Sequence, residues 1–185
     1  GGVLFLDHHS SAVLVDSTFE LNYALTGGVV ALRSSNMHSL NNHFEHNGAK
    51  NGGVISASTE SMAICENDNY ADNRASDSGG VMRVISASTV NVSRSLLKGN
   101  SANYGGALKC SGSAALFDIK ESRFENNKAT FSGGAINVES SLHSDIVNCS
   151  FVRNRSQRGG ALVLGNARLS INGCYFTQSI GFYGG

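Results

Sequence analysis

The chain has 185 residues, with 14 Lys plus Arg against 14 Asp plus Glu, so it carries no formal net charge. Charged residues make up 15% and hydrophobic residues 41%, and Pro and Trp are absent. This balance shows no basic stripe for nucleic acid or an anionic membrane and no acidic tail, and its aliphatic content argues against disorder.

No stretch approaches the roughly 20 apolar residues of a membrane helix, and no secretory signal is visible. Four cysteines, Cys65, Cys110, Cys149 and Cys174, make no CxxC and no His/Cys metal spacing. Neither a zinc site nor a cofactor is therefore expected. Four is also too few for a disulfide framework in a chain of this length.

A Gly-Gly pair followed by a short apolar run starts at residues 1, 27, 52, 79, 105, 133 and 159, and an eighth pair, Gly184-Gly185, closes the chain. A period of this size decides architecture before any local pattern does. The span 1–185 begins inside one repeat and ends inside another. It is expected to be an excerpt of a longer protein whose polar caps lie elsewhere.

After each glycine pair, apolar residues alternate. One inward column is Leu4, Val30, Ile55, Met82, Leu108, Ile136 and Leu162. A second is Leu6, Leu32, Ala57, Val84, Cys110, Val138 and Leu164. The mixed row between them (Phe5, Ala31, Ser56, Arg83, Lys109, Asn137, Val163) is expected to face solvent. A second alternating segment follows, with Leu14, Ser39, Cys65, Val92, Ile119, Ile146 and Ile171 at one inward position. Period-2 alternation marks half-buried strands rather than helix. Each unit then reads as two or three short strands joined by Gly, Ser and Asn corners. One unit cannot bury its apolar face alone, whereas stacked units can, about 4.8 Å apart. Parallel crossovers are right-handed by strong preference. The fold expected is all-β: a right-handed parallel β-helix, a single-stranded solenoid of the pectin-lyase kind, with about seven coils of 25–28 residues.

Each unit next carries an aromatic, two residues, then Asn. The aromatics Phe19, Phe44, Tyr70, Phe124, Phe151 and Phe176 are expected to stack, with Leu97 in the fourth place. Asn22, Asn47, Asn73, Asn100, Asn127 and Asn154 are expected to form an internal ladder of amides, with Ser179 in the seventh place. The two phrases, Gly133-Gly134-Ala135-Ile136 and Phe124-Glu125-Asn126-Asn127, together resemble the GGAI and FxxN repeat of the chlamydial polymorphic outer membrane proteins. That resemblance implies an exported, surface-displayed β-helix of the autotransported adhesin kind.

Other features carry less chemistry. Asp7-His8-His9 reads as an exposed polar corner, since His38, His43 and His46 fall at other repeat positions. No metal site and no catalytic residue is assigned. Arg83 and Lys109 share a row on adjacent coils, but that row offers no carboxylate, while Asp118, Glu121 and Glu125 lie elsewhere on the coil. Cys149 and Cys174 occupy one repeat position on consecutive coils, within disulfide range, although side chains in register point alike. Cys65 and Cys110 are expected outside any bridge. Sequons place candidate glycosylation at Asn91 and Asn148, while Asn154 belongs to the ladder. The threonines share no column, which excludes an ice-binding array. The expected function is a non-enzymatic scaffold and interaction surface, extracellular or on the cell surface, on the outer membrane if the source is bacterial. Its expected partner is a host-cell protein or glycan, and end-to-end self-association through open strand edges is also expected. The alternative is a carbohydrate-binding or polysaccharide-cleaving β-helix with its active coils outside this segment.

Overall fold

The computed structural model describes residues 1–139 and 143–183, so the Gly184-Gly185 pair lies outside the described residues. The structure is all-β. Its strands form four seven-stranded sheets, each built from one strand per coil. All pairings are parallel, and each strand pairs with its counterpart one coil along. Among the described residues no helix is long and apolar enough to cross a membrane.

The fifth coil shows the plan. Gly105-Gly106 opens it, and Leu108–Ser111 joins the glycine sheet. Leu116–Lys120 joins the second sheet, Arg123–Glu125 the aromatic sheet and Lys128–Ser132 the fourth. The sequence predicts two or three strands per coil; the structure has four. The extra division comes from two sharp corners that cut the three-residue aromatic strand off from its neighbours.

Both corners use left-handed backbone. One column is Asp16, Asn41, Asn67, Arg94, Glu121, Asn148 and Gly173, with φ between 48° and 63°. The other is Leu21, His46, Asp72, Gly99, Asn126, Arg153 and Gln178, with φ between 52° and 70°. Most of these are not glycine, and a left-handed L-residue costs about 1–2 kcal/mol. Something must hold them there, and the residue after each corner does so.

After the second corner stands the Asn column. The Asn127 side-chain oxygen accepts from the Asn100 backbone N–H (3.0 Å) and the Asn100 amide (3.0 Å). The Asn127 amide donates to Leu97 O on the preceding coil (2.8 Å) and to Asn154 Oδ1 on the next (3.1 Å). Two acceptor sites and two donor hydrogens are thus all used. The same four-bond pattern recurs at Asn47, Asn73 and Asn100. Asn73, Asn100, Asn127 and Asn154 are 0% exposed. Ser179 is too short to continue the column, and its buried hydroxyl has no hydrogen-bond partner among the described residues.

A second ladder follows the first corner. It runs Ser17, Asn42, Asp68, Ser95, Ser122, Cys149, Cys174, and in each case the backbone N–H donates to the side-chain oxygen or sulfur one coil along. A shorter third run links Ser10, Ser35, Ser61 and Ser88 in the same way.

The core lies inside these corners. Phe44, Tyr70, Leu97, Phe124 and Phe151 are 0% exposed. Ring centroids stand 4.7–5.0 Å apart and within 10° of parallel along Phe19–Phe44–Tyr70 and Phe124–Phe151–Phe176. Leu97 separates the two stacks.

The glycine pairs do two jobs. The first glycine is left-handed, with φ of 58–64° from Gly27 to Gly159. The second packs backbone on backbone: a Cβ on Gly134 would run into the carbonyl oxygen of Gly160. Coil length varies in two places, the turn after the glycine sheet and register shifts within the fourth sheet, such as that between Ala102 and Tyr104.

Gly134→Ala should cost about 3 kcal/mol or more, because neither backbone can yield. Gly165→Ala meets the flexible Glu139 side chain at 3.4 Å and Val138 O at 3.9 Å, both ordinary contacts, and should change stability by less than about 0.5 kcal/mol. Equal effects in urea denaturation would show that the glycine contact does not set the coil spacing. Asn127→Leu should cost about 1–3 kcal/mol for each buried group left unpaired. The same measurement checks it, and a loss within error would mean the column contributes nothing to stability.

Candidate interaction surface

The row after the glycine pairs is the first candidate, and the structure corrects its expected exposure. Phe5 is exposed, but Ala31, Ser56, Lys109 and Asn137 are buried. The strand ends of the fourth sheet fold against this row. The Asn137 amide donates to Ser132 Oγ, and Lys109 Nζ lies 5.7 Å from the centre of the Tyr104 ring. Lys109 Nζ also donates to Asn137 Oδ1 and pairs with Glu139 at 2.8 Å. The row itself holds no carboxylate, yet Glu139 reaches in from two residues along the next coil. Lys109 is therefore engaged by an amide, a carboxylate and a ring face. Beside it, burial lowers the half-buried Arg83 guanidinium from its ordinary range, and the nearby Asp77 carboxylate opposes that shift.

Asp7-His8-His9 forms a tight turn in which both histidines are left-handed. Arg33 on the next coil grips Asp7 through two nitrogens, one of them Nε at 2.9 Å. Those hydrogen bonds hold the Asp7 carboxyl down at about 2. His8 points into solvent, with a side chain 88% exposed. One coil on, His43 Nε2 lies 3.0 Å from Glu45 Oε2, and this contact lowers the Glu45 carboxyl below its ordinary range. Glu45, His46 and Asp72 bring one imidazole and two carboxylates within 4.8 Å of one another, a set that could hold a metal ion. Sequence spacing alone did not show it, because Asp72 reaches His46 across coils at a shared left-handed corner.

Cys149 and Cys174 are separate thiols rather than a bridge. They are the sulfur rungs of the second ladder. Cys174 Sγ accepts from the Cys149 N–H at 3.3 Å, and the two thiols donate to Val147 O and Asn172 O. Residues in register on parallel coils point the same way, so each sulfur faces backbone groups. Burial pushes the Cys149 thiol up to about 11. Cys65 and Cys110 lie buried at inward positions of the second and glycine sheets respectively.

Of the candidate glycosylation residues, Asn91 is half-buried within Thr89–Ser93 and Asn148 is exposed at a left-handed corner. Asn154, in the third sequon, is wholly buried and spends its amide on Phe124 O at 3.0 Å.

One buried group has no signature in the sequence. Asp68, 2% exposed, is a rung of the second ladder. Its Oδ1 accepts from the Asn42 N–H at 2.7 Å and its Oδ2 from the Tyr70 hydroxyl at 3.0 Å. Burial raises the Asp68 carboxyl above the ordinary carboxylate range, and the hydrogen bonds from Ser39 and Asn42 only partly oppose this. The neighbouring Cys65 thiol is pushed up to about 12 by burial. The column holds Ser, Asn, Asp and Cys, so no single letter marks it.

Residues 121–139 match the sequence model of the Chlamydia polymorphic membrane protein repeat. The matched stretch spans both corners, Glu121 and Asn126, with one aromatic strand between them, the Asn127 rung, one strand of the fourth sheet and Gly133-Gly134 with its strand. This match and the stacked solenoid fit a β-helix repeat like that of the polymorphic membrane proteins. No curated protein and no solved structure matches the chain.

The raised carboxyl of Asp68 has a definite sign. The folded state holds the proton more tightly than the unfolded chain, so the protonated form favours folding. That stability is fully present below the unfolded value and is lost as pH rises through the folded value. Asp68→Asn, an amide of the kind already present at Asn42, should therefore raise stability at pH 7 by about 1 kcal/mol. It should also flatten the decline in stability above about pH 4. Denaturation midpoints between about pH 4 and pH 7 check this, and a variant less stable than the parent at pH 7 would refute it.

Proposed function

We propose that the chain is a non-enzymatic, surface-exposed module of the adhesin or passenger kind. It acts as a rigid scaffold that presents rows of side chains to an extracellular partner. The observation that carries this reading is the repeat match at 121–139, which covers three of a coil's four kinds of strand with both corners and the glycine pair, rather than an isolated phrase. The interior supports it. Ladders and ring stacks fill the corners, so outward side chains stand in register at about 4.8 Å intervals on a backbone with little freedom to move. Such a rod suits display better than closure around a small molecule. The same repeat favours the cell surface, and the outer membrane if the source is bacterial.

The test is topology on intact cells. Antibodies raised against this segment should label cells making the full-length protein without permeabilisation, and the purified chain should compete with those cells for attachment to their target. Labelling only after permeabilisation would sink the surface reading.

A further inference from the structure

The zero net charge conceals a segregation. Strands of the fourth sheet carry Lys50, Arg74, Lys128, Arg155 and Arg158 against one carboxylate, Asp77. The chain's remaining carboxylates lie on other faces and corners. Arg74, Lys128 and Arg155 stand in a single register row with Gly48 and Ser101. All three are exposed. Arg33, Arg94, Lys109, Lys120 and Arg123 are each paired with a carboxylate. Among the described residues Arg74, Lys128 and Arg155 make no such pair.

A trough runs along this row. Ser101 is short between the long side chains of Arg74 and Lys128, and the gap is a depression of about 340 Å³ lined by Ser101, Asn103 and Thr130. A second depression of about 330 Å³ continues past Arg155 to Phe182. The two share Lys128 and Thr130, so they form one path along the solenoid axis. Its cations are spaced by two coils and then one, about 9.6 and 4.8 Å.

We propose that this trough binds a linear anionic polysaccharide. Sulfate or carboxylate groups pair with Arg74, Lys128 and Arg155, and sugar hydroxyls bond Ser101, Asn103 and Thr130. Unpaired cations attract a polyanion, and an amide and hydroxyl lining suits a ligand rich in hydroxyls. A peptide has no strand edge to extend here, because Arg74–Ser78 and Lys128–Ser132 are paired on both sides. Single-stranded nucleic acid needs successive stacking platforms, whereas the exposed rings of this sheet, Tyr23, Phe131, Phe182 and Tyr183, stand on the first, fifth and seventh coils and never on successive ones. Choosing a glycan over other polyanions also rests on the surface reading above.

The test uses the 185-residue chain and a heparin octasaccharide, with a uronate oligosaccharide as the unsulfated arm. Binding by calorimetry should weaken as salt rises. The triple variant Arg74→Ser, Lys128→Ser, Arg155→Ser, which places in this row the residue already found at Ser101, should bind at least about tenfold more weakly while keeping its circular dichroism spectrum. The control Lys98→Ser, Lys120→Ser, Arg168→Ser removes three cations from other faces and should bind within about twofold of the parent. The proposal is overturned if neither glycan binds at low salt, or if the control loses as much as the triple variant. It is equally overturned if oligo-dT of matched charge, or phosphatidylserine vesicles, bind as tightly as the octasaccharide. Labelling of the protein only inside cells would refute the surface reading, whereas the trough stands or falls on these binding measurements.

Discussion

A chain that coils on itself must provide an acceptor for every corner N–H, one coil along. Within the strands the backbone provides it, since each carbonyl meets the N–H of its neighbour. At the corners the backbone turns away and the carbonyl is lost. A buried N–H without a partner costs about 1–3 kcal/mol, and each coil has at least two such corners. The side-chain oxygens of the Asn column and of the mixed Ser, Asn, Asp and Cys column replace the missing carbonyls. Nearly everything else follows from that replacement. The left-handed residues can be Arg, Glu or Leu because the next residue is anchored inward. The aromatic strand can be only three residues long because both its ends are held.

The glycine pairs and the ladders divide the work. Glycine at Gly134 removes atoms so that two backbones can approach, and Asn127 adds atoms where two backbones diverge. Core packing then closes around a frame already fixed at its corners. Phe44 and Tyr70 stack with their planes 5° apart because their strands admit no other register.

Legibility in the sequence followed chemical uniformity. The GGAI and FxxN phrases use nearly one letter per column, so the solenoid, its period and its seven turns could be read directly. The second ladder uses four residue types that share only an acceptor atom, and hydropathy patterns do not register that property. The burial of Lys109 and Asn137 could not be read because it depends on how closely the fourth sheet folds against the glycine sheet. Glu45, His46 and Asp72 likewise meet through corner geometry rather than spacing. Summed charge hid the cations of the fourth sheet, because a total carries no direction around the coil.

The fourth sheet also absorbs part of the differences in coil length, the turn after the glycine sheet taking the rest. From the second sheet through the Asn column, successive coils keep one internal spacing: Phe117, Phe124 and Asn127 repeat the offsets of Val90, Leu97 and Asn100. An added residue there would pull a rung out of its ladder. Between the Asn column and the next glycine pair, register shifts take up extra residues without breaking a rung. Insertions and deletions can thus accumulate on one face while the ladders on the others stay in step. That face carries the basic row. A lineage built on this repeat can reshape its outward contour coil by coil and keep the same rod beneath it.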